Sequence, residues 1–155
     1  MKLQSRQQYI DHVEGYFHSV MRADRPAVRG CFTQDAVVTL YHGDNPKRQF
    51  FAKPAPGQLP LEAFYGYIWE NMDVHFGDFT HYVDVESERC ASTFIPKLKP
   101  KAGSAHADKG VLSLNNCNFF LYSDGRIQFM TIYYANPELG ARQGATVVTP
   151  TVPPV

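Results

Sequence analysis

No apolar run in this 155-residue chain approaches the roughly 18 residues that a membrane-spanning helix needs. The opening MKLQSRQQYIDH lacks the apolar centre of a secretory leader. Cysteine is scarce: Cys31, Cys90 and Cys117 are scattered and odd in number. With no leader, that predicts a reducing, cytoplasmic setting and no disulfide framework. Net charge is also missing. Fifteen basic residues balance fifteen acidic ones, so nothing electrostatic favours nucleic acid or an anionic membrane as a partner. The stretch PKLKPKAGSAHADKG has four lysines but no interleaved aromatics for base stacking. His12, His18, His75, His81 and His106 show no ligand spacing backed by carboxylates or cysteines, so no metal site is expected. No glycine-rich phosphate loop or nucleotide fingerprint occurs, and no cofactor is expected.

What is present is apolar and aromatic. Hydrophobic residues make up 44% of the chain and aromatics 14%, enough for one domain with a sizeable core. Residues 1–136 read as that domain, and 137–155 as a Gly-, Thr- and Pro-rich tail. Ile10, Val13, Phe17, Val20 and Met21 form one apolar stripe, predicting a helix from residue 5 to about 24. Gly15 inside it costs about 1 kcal/mol. Asp24 and Pro26 are suited to cap and start a second, short helix carrying Val28, Cys31 and Phe32. Thr33-Gln34-Asp35 reads as a turn before a strand over 36–42, and KRQFFAK as a second strand. Leu61, Phe64, Tyr65, Ile68, Trp69 and Met72 again have helical spacing. The chain then becomes extended, with a bend or bulge expected at Gly77 and acidic Asp84, Glu86 and Glu88 on a solvated strand face. Arg89–Leu98 reads as a further strand.

The stretch from Gly110 to Asn136 predicts a long hairpin. Asp124-Gly125 suits a two-residue type I′ turn, which needs φ > 0 at both positions. Ser123 then pairs with Arg126. Without irregularity, Leu121, Phe119, Cys117 and Asn115 share a face with Gln128, Met130, Ile132 and Tyr134. A one-residue bulge exchanges this set for Asn116 and Asn118. Helices first and long strands afterwards place the chain in the α+β class, with a mostly antiparallel sheet.

The phrases YFHSVMRAD, PAVRGCFTQDAVVTLY, FTHYVDV and FFLYSDGRIQFMTIYY, in that order, resemble the nuclear-transport-factor-2-like superfamily. That group includes SnoaL-like cyclases, ketosteroid isomerase and scytalone dehydratase. The resemblance implies a curved sheet wrapped by the N-terminal helices into a cone with an internal apolar pocket. It also implies a homodimer through the outer sheet face, here Phe120, Tyr122, Phe129 and Tyr133. Residue by residue, Tyr16 matches a tyrosine that hydrogen-bonds a substrate oxyanion, Tyr41 a water-orienting tyrosine, and His81 a general acid or base. The isomerase's base aspartate aligns with Leu40 and its second acid with Cys117, while Val20 and Met21 replace the dehydratase's helical tyrosine–aspartate pair.

Each of these positions has a plainer reading. His81 is equally suited to a hydrogen bond within the sheet, and Tyr16 and Tyr41 to ordinary aromatic packing. Asn115, Cys117, Phe119, Met130, Ile132, Tyr134, Trp69 and Tyr65 are the expected pocket lining, although core packing uses the same residue types. Cys117 reads as a small filler, since no base partners it. The implied function is a cofactor-independent isomerase, dehydratase or cyclase acting on a hydrophobic, oxygenated small molecule. The alternative is a binding protein on the same fold. Epoxide hydrolysis calls for an Asp–Arg–Asp cluster that cannot be assembled from this chain.

Overall fold

A computed structural model describes residues 1–43, 45–105, 107–108 and 110–135. The predicted tail, 137–155, lies outside the described residues. Helix α1 spans Arg6–Met21, and Ser5 caps it by accepting from the Gln8 amide at 3.3 Å. Helix α2, Arg25–Gly30, has Asp24 as its cap and Pro26 in its first turn, as expected, but it carries only Val28 of the three expected residues: Cys31 is its C-cap and Phe32 begins the next strand. Strands β1 (Phe32–His42), β2 (Arg48–Phe51) and β3 (Leu59–Pro60) follow, then helix α3 (Leu61–Asn71). The remaining strands are β4 (Met72–Asp84), β5 (Arg89–Pro100), β6 (Leu112–Ser113), β7 (Asn115–Ser123) and β8 (Arg126–Ala135).

The strands form one curved, mixed sheet in the order β3-β2-β1-β8-β7-β5-β4, with β6 added beside β5. Most neighbours are antiparallel, but β1 runs parallel to β8 and β2 parallel to β3. The parallel β1–β8 pair joins the first strand to the last, a long-range pairing that local sequence does not announce. Three local expectations are corrected. Thr33-Gln34-Asp35 is an irregular part of β1 and not a turn, because the register against β8 slips between Phe32 and Val37. Met72 begins β4 instead of ending α3. Glu86 and Glu88 lie in the β4–β5 turn and not along a strand, with the Asp84 carboxylate accepting from the Glu86 and Ser87 amides. The expected irregularity at Gly77 is there: the β4–β5 register shifts between Gly77 and Thr80.

The hairpin turn is as predicted. Asp124 and Gly125 have φ of 49° and 77°, and Ser123 faces Arg126. Two residues further on, the register slips: Tyr122 faces Ile127, but Leu121 faces Phe129. Gln128 is the extra residue of a bulge. The slip exchanges the faces of β7 relative to β8. Tyr122 keeps its regular partner Ile127; beyond the slip Met130 and Ile132 replace Phe129 and Tyr133 on that face, and Phe120 and Tyr122 are buried with them instead of lying on the expected outer surface.

Helix α1 closes the concave face by packing on β4. Its Phe17 ring sits among Phe94, Phe79 and Phe76, with centroids 4.5, 5.0 and 5.3 Å away. Trp69 of α3 donates its indole N–H to the Val20 carbonyl at 2.8 Å, satisfying a carbonyl at the end of α1 and fixing α3 against it. Phe17 is almost wholly buried, so Phe17→Ala removes the central contact between helix and sheet. The expected loss is about 3–5 kcal/mol of stability in urea unfolding. A loss below about 1 kcal/mol contradicts this packing.

Candidate functional site

Side chains alternate along a strand, so the slip at Gln128 decides which residues of β7 reach the concave face. Asn116, Asn118, Phe120 and Tyr122 point inward; Asn115, Cys117 and Phe119 point outward. Between the concave sheet and helices α1 and α3 lies a cavity of about 360 Å³. Its wall is mainly aliphatic and aromatic, from Phe17, Leu40, Phe64, Ile68, Phe94 and Ile132 among others. The polar groups on it are few: Tyr16, Tyr65, Tyr67, Tyr134, Asn116, Asn118 and Arg48.

Tyr16 of α1 and Tyr65 of α3 face each other across the cavity wall with hydroxyl oxygens 2.8 Å apart. Both side chains are buried. One hydroxyl donates to the other, and the accepting one keeps a hydrogen for a further partner. Burial raises the pKa of both phenols above the ordinary value near 10. For Tyr16 the bond to Tyr65 offsets part of that rise. Both are therefore protonated donors at neutral pH.

The amides of β7 are less well served. Asn118 is 2% exposed, and its Nδ2 has only the Met130 sulfur at 3.8 Å. The Oδ1 atoms of Asn116 and Asn118 are buried with no hydrogen-bond partner. Such an orphan acceptor costs about 1–3 kcal/mol. At the mouth, Arg48 donates to the Tyr134 hydroxyl at 3.1 Å, and the Tyr134 ring stacks on His42 at 4.3 Å.

The other predicted residues divide. Met130 is fully buried beside the cavity, while Ile132 and Tyr134 line it, as does Tyr65. Trp69 stands behind Tyr65, stacked on it at 5.5 Å, with the Arg25 guanidinium over the Trp69 ring at 5.1 Å. Asn115, Cys117 and Phe119 stand on the outer face, displaced by the bulge. Tyr41 is also on the outer face, because Leu40 takes the inward position of β1; its ring stacks on Tyr133 at 4.8 Å. The three thiols are poor nucleophiles, since burial pushes Cys31 up to about 11 and raises Cys90 and Cys117 as well.

His81 is not part of the cavity wall. It lies on the concave face beneath α1, with Nδ1 2.8 Å from Ser92 Oγ and Nε2 3.2 Å from Glu14 Oε1. Its side chain is 6% exposed and stacks on Phe79 at 5.6 Å. Ser92 is fully buried and sits between His81 and Asn118 in the cross-strand register. Among the described residues, no group of three or more His, Cys, Asp and Glu could hold a metal ion. The bulged alternative, Asn116 and Asn118, is the one realised; sequence reasoning missed Arg48, Glu14 and Ser92. The only signal for the amides was the Asn115-Asn116-Cys117-Asn118 run, whose inward members depend on the bulge.

No family model and no curated protein matches the chain. Solved structures do. A candidate polyketide cyclase from Xanthomonas campestris is 19% identical with a TM-score of 0.67, covering 83% of this chain and 91% of its own. A nuclear-transport-factor-2-like protein from Burkholderia xenovorans is 11% identical with a TM-score of 0.63, over 92% and 98%. The epoxide hydrolase/cyclase-like enzyme SalBIII, with a role in pyran ring formation in salinomycin, is 16% identical with a TM-score of 0.61, over 85% and 94%. These likenesses establish the fold as the nuclear-transport-factor-2-like cone.

One ring nitrogen of His81 meets the buried Ser92 hydroxyl and the other the part-exposed Glu14 carboxylate. His81→Ala is expected to lower stability by about 1–3 kcal/mol, because the buried Ser92 hydroxyl loses its partner. Tyr41→Phe, on the outer face, should change stability by less than about 0.5 kcal/mol. Equal values for the two variants in urea unfolding would contradict these placements.

Proposed function

We propose that the protein holds a hydrophobic, oxygenated small molecule in the cone and acts on it as a cofactor-independent isomerase, dehydratase or cyclase. The observation that carries this reading is the Tyr16–Tyr65 pair: two buried, protonated hydroxyls, 2.8 Å apart, on the wall of an apolar cavity. Their spare hydrogen is suited to a carbonyl or epoxide oxygen of the substrate. In a site that excludes water, such a bond strengthens as negative charge develops on that oxygen. Neither an imidazole nor a carboxylate lines the cavity among the described residues, so the pair acts as electrophile and not as base. This suits reactions in which the substrate brings its own nucleophile, ring closure above all. The cyclase names of the Xanthomonas neighbour and of SalBIII support that choice without identifying a substrate.

The same lack of a base in the wall favours a second reading, a binding protein without turnover. For either reading we propose a cytoplasmic setting with no nucleic-acid or membrane partner, on the balanced charge of the chain. Among the described residues no helix is long and apolar enough to cross a membrane. Phe119, Phe129, Tyr133 and Tyr82 are exposed on the outer sheet face. We propose this face as the contact between two copies of the chain, with Phe119 in place of the buried Phe120 and Tyr122.

The infrared carbonyl stretch of bound 2-acetylnaphthalene tests the electrophile. In the native protein it should move to lower frequency, and in the Tyr16→Phe/Tyr65→Phe double variant it should return to its position in an apolar solvent. Because both phenols titrate above their ordinary range, the shift should be the same at about pH 6 and about pH 9. An unshifted carbonyl in the native protein sinks the proposal. An open-chain hydroxy-epoxide then separates the two readings. Ring closure above background, lost in the double variant, marks an enzyme; binding without closure marks a carrier.

A further inference from the structure

The polar groups of the cavity are distributed along one line of the sheet. The register sets Asn118 of β7 opposite Ile132 of β8, Ile132 opposite Leu40 of β1, and Leu40 opposite Arg48 of β2. All four line the cavity. Three strand spacings separate the two ends, roughly 14 Å.

At the inner end, the Asn118 amide is oriented by its neighbour. A thioether sulfur accepts hydrogen bonds and does not donate them, so Nδ2 faces Met130. Oδ1 is left buried and unpartnered. An amide oxygen only accepts, so the group that would satisfy it is a donor such as a hydroxyl. At the outer end, Arg48 is the only fully charged side chain of the wall among the described residues. It uses one N–H on Tyr134, and no carboxylate among the described residues pairs with it. Its guanidinium keeps four further N–H donors for a carboxylate. Between the ends, Leu40 and Ile132 offer only apolar surface.

We infer that the cone takes a hydrophobic hydroxy-carboxylic acid: carboxylate on Arg48 at the mouth, apolar chain across Leu40 and Ile132, hydroxyl donating to Asn118 Oδ1. This rests on the reading of the cone as a small-molecule site and narrows the class of molecule. It leaves the Tyr16–Tyr65 pair for an oxygen in the middle of the chain.

The probe is 12-hydroxydodecanoate, whose extended chain is of this length, compared with its methyl ester and with dodecanoate by calorimetry. The native protein should bind the hydroxy acid about tenfold more tightly than the ester, the margin of one charge-assisted hydrogen bond. It should also prefer the hydroxy acid to dodecanoate. Arg48→Met should erase the preference for acid over ester, and Asn118→Leu the preference for hydroxy acid over dodecanoate. Arg48 is exposed, so its variant tests the outer end even if the buried substitution unfolds the protein. Equal binding of acid and ester by the native protein overturns the inference while the cone reading stands. Failure of all three probes to bind overturns both.

Discussion

At Gln128 two residues of β8 stand against one of β7, and this single unpaired step governs what the concave sheet offers. On the turn side of the bulge Ile127 is inward; beyond it Met130, Ile132 and Tyr134 are inward. Opposite them the even-numbered residues of β7 come in and the odd-numbered ones go out. The consequence reaches both surfaces. Asn118 and Phe120 enter the core, while Cys117 and Phe119 join Tyr41 and Tyr133 in an aromatic outer face. An uninterrupted hairpin reverses the β7 half of this arrangement and puts a thiol where an amide now stands.

The interior is arranged by ring packing. Around Phe17 the rings of Phe76, Phe79 and Phe94 close the cone tightly. Phe17, Phe76 and Phe94 also form part of the cavity wall, which continues to Leu40 of β1 and Phe50 of β2. A fold that leaves buried amide oxygens unpaired gives up free energy at those atoms. Evolution tolerates such losses where a ligand restores them, and the orphan oxygens here are on the wall of the same cavity as a hydroxyl pair with a hydrogen to spare. Polar groups collected in an otherwise apolar hollow are the physical content of the functional reading.

His81 shows how a residue type is not a role. Its imidazole is held at both nitrogens, by Ser92 across the strand pair and by Glu14 from the helix above. Ser92 is 11 residues from His81 on the paired strand, whereas Glu14 is 67 residues away. In this arrangement the ring ties α1 to the sheet and stands outside the cavity wall.

The sequence by itself determined the elements: the amphipathic helices, the capped second helix, the Asp124-Gly125 turn and the α+β order all follow from spacing and local backbone preference. It also determined that aromatic residues dominate the interior. It did not determine the face of each strand, because a bulge leaves no mark stronger than the ordinary residue Gln128, and one slipped residue inverts every side chain beyond it. Nor did it determine the meeting of Tyr16 with Tyr65, of His81 with Glu14 and Ser92, or of Arg48 with Tyr134. Those contacts join residues 49 positions apart or more, except for the 11 between His81 and Ser92. Only the curvature of the sheet and the docking of two helices into it bring them within reach.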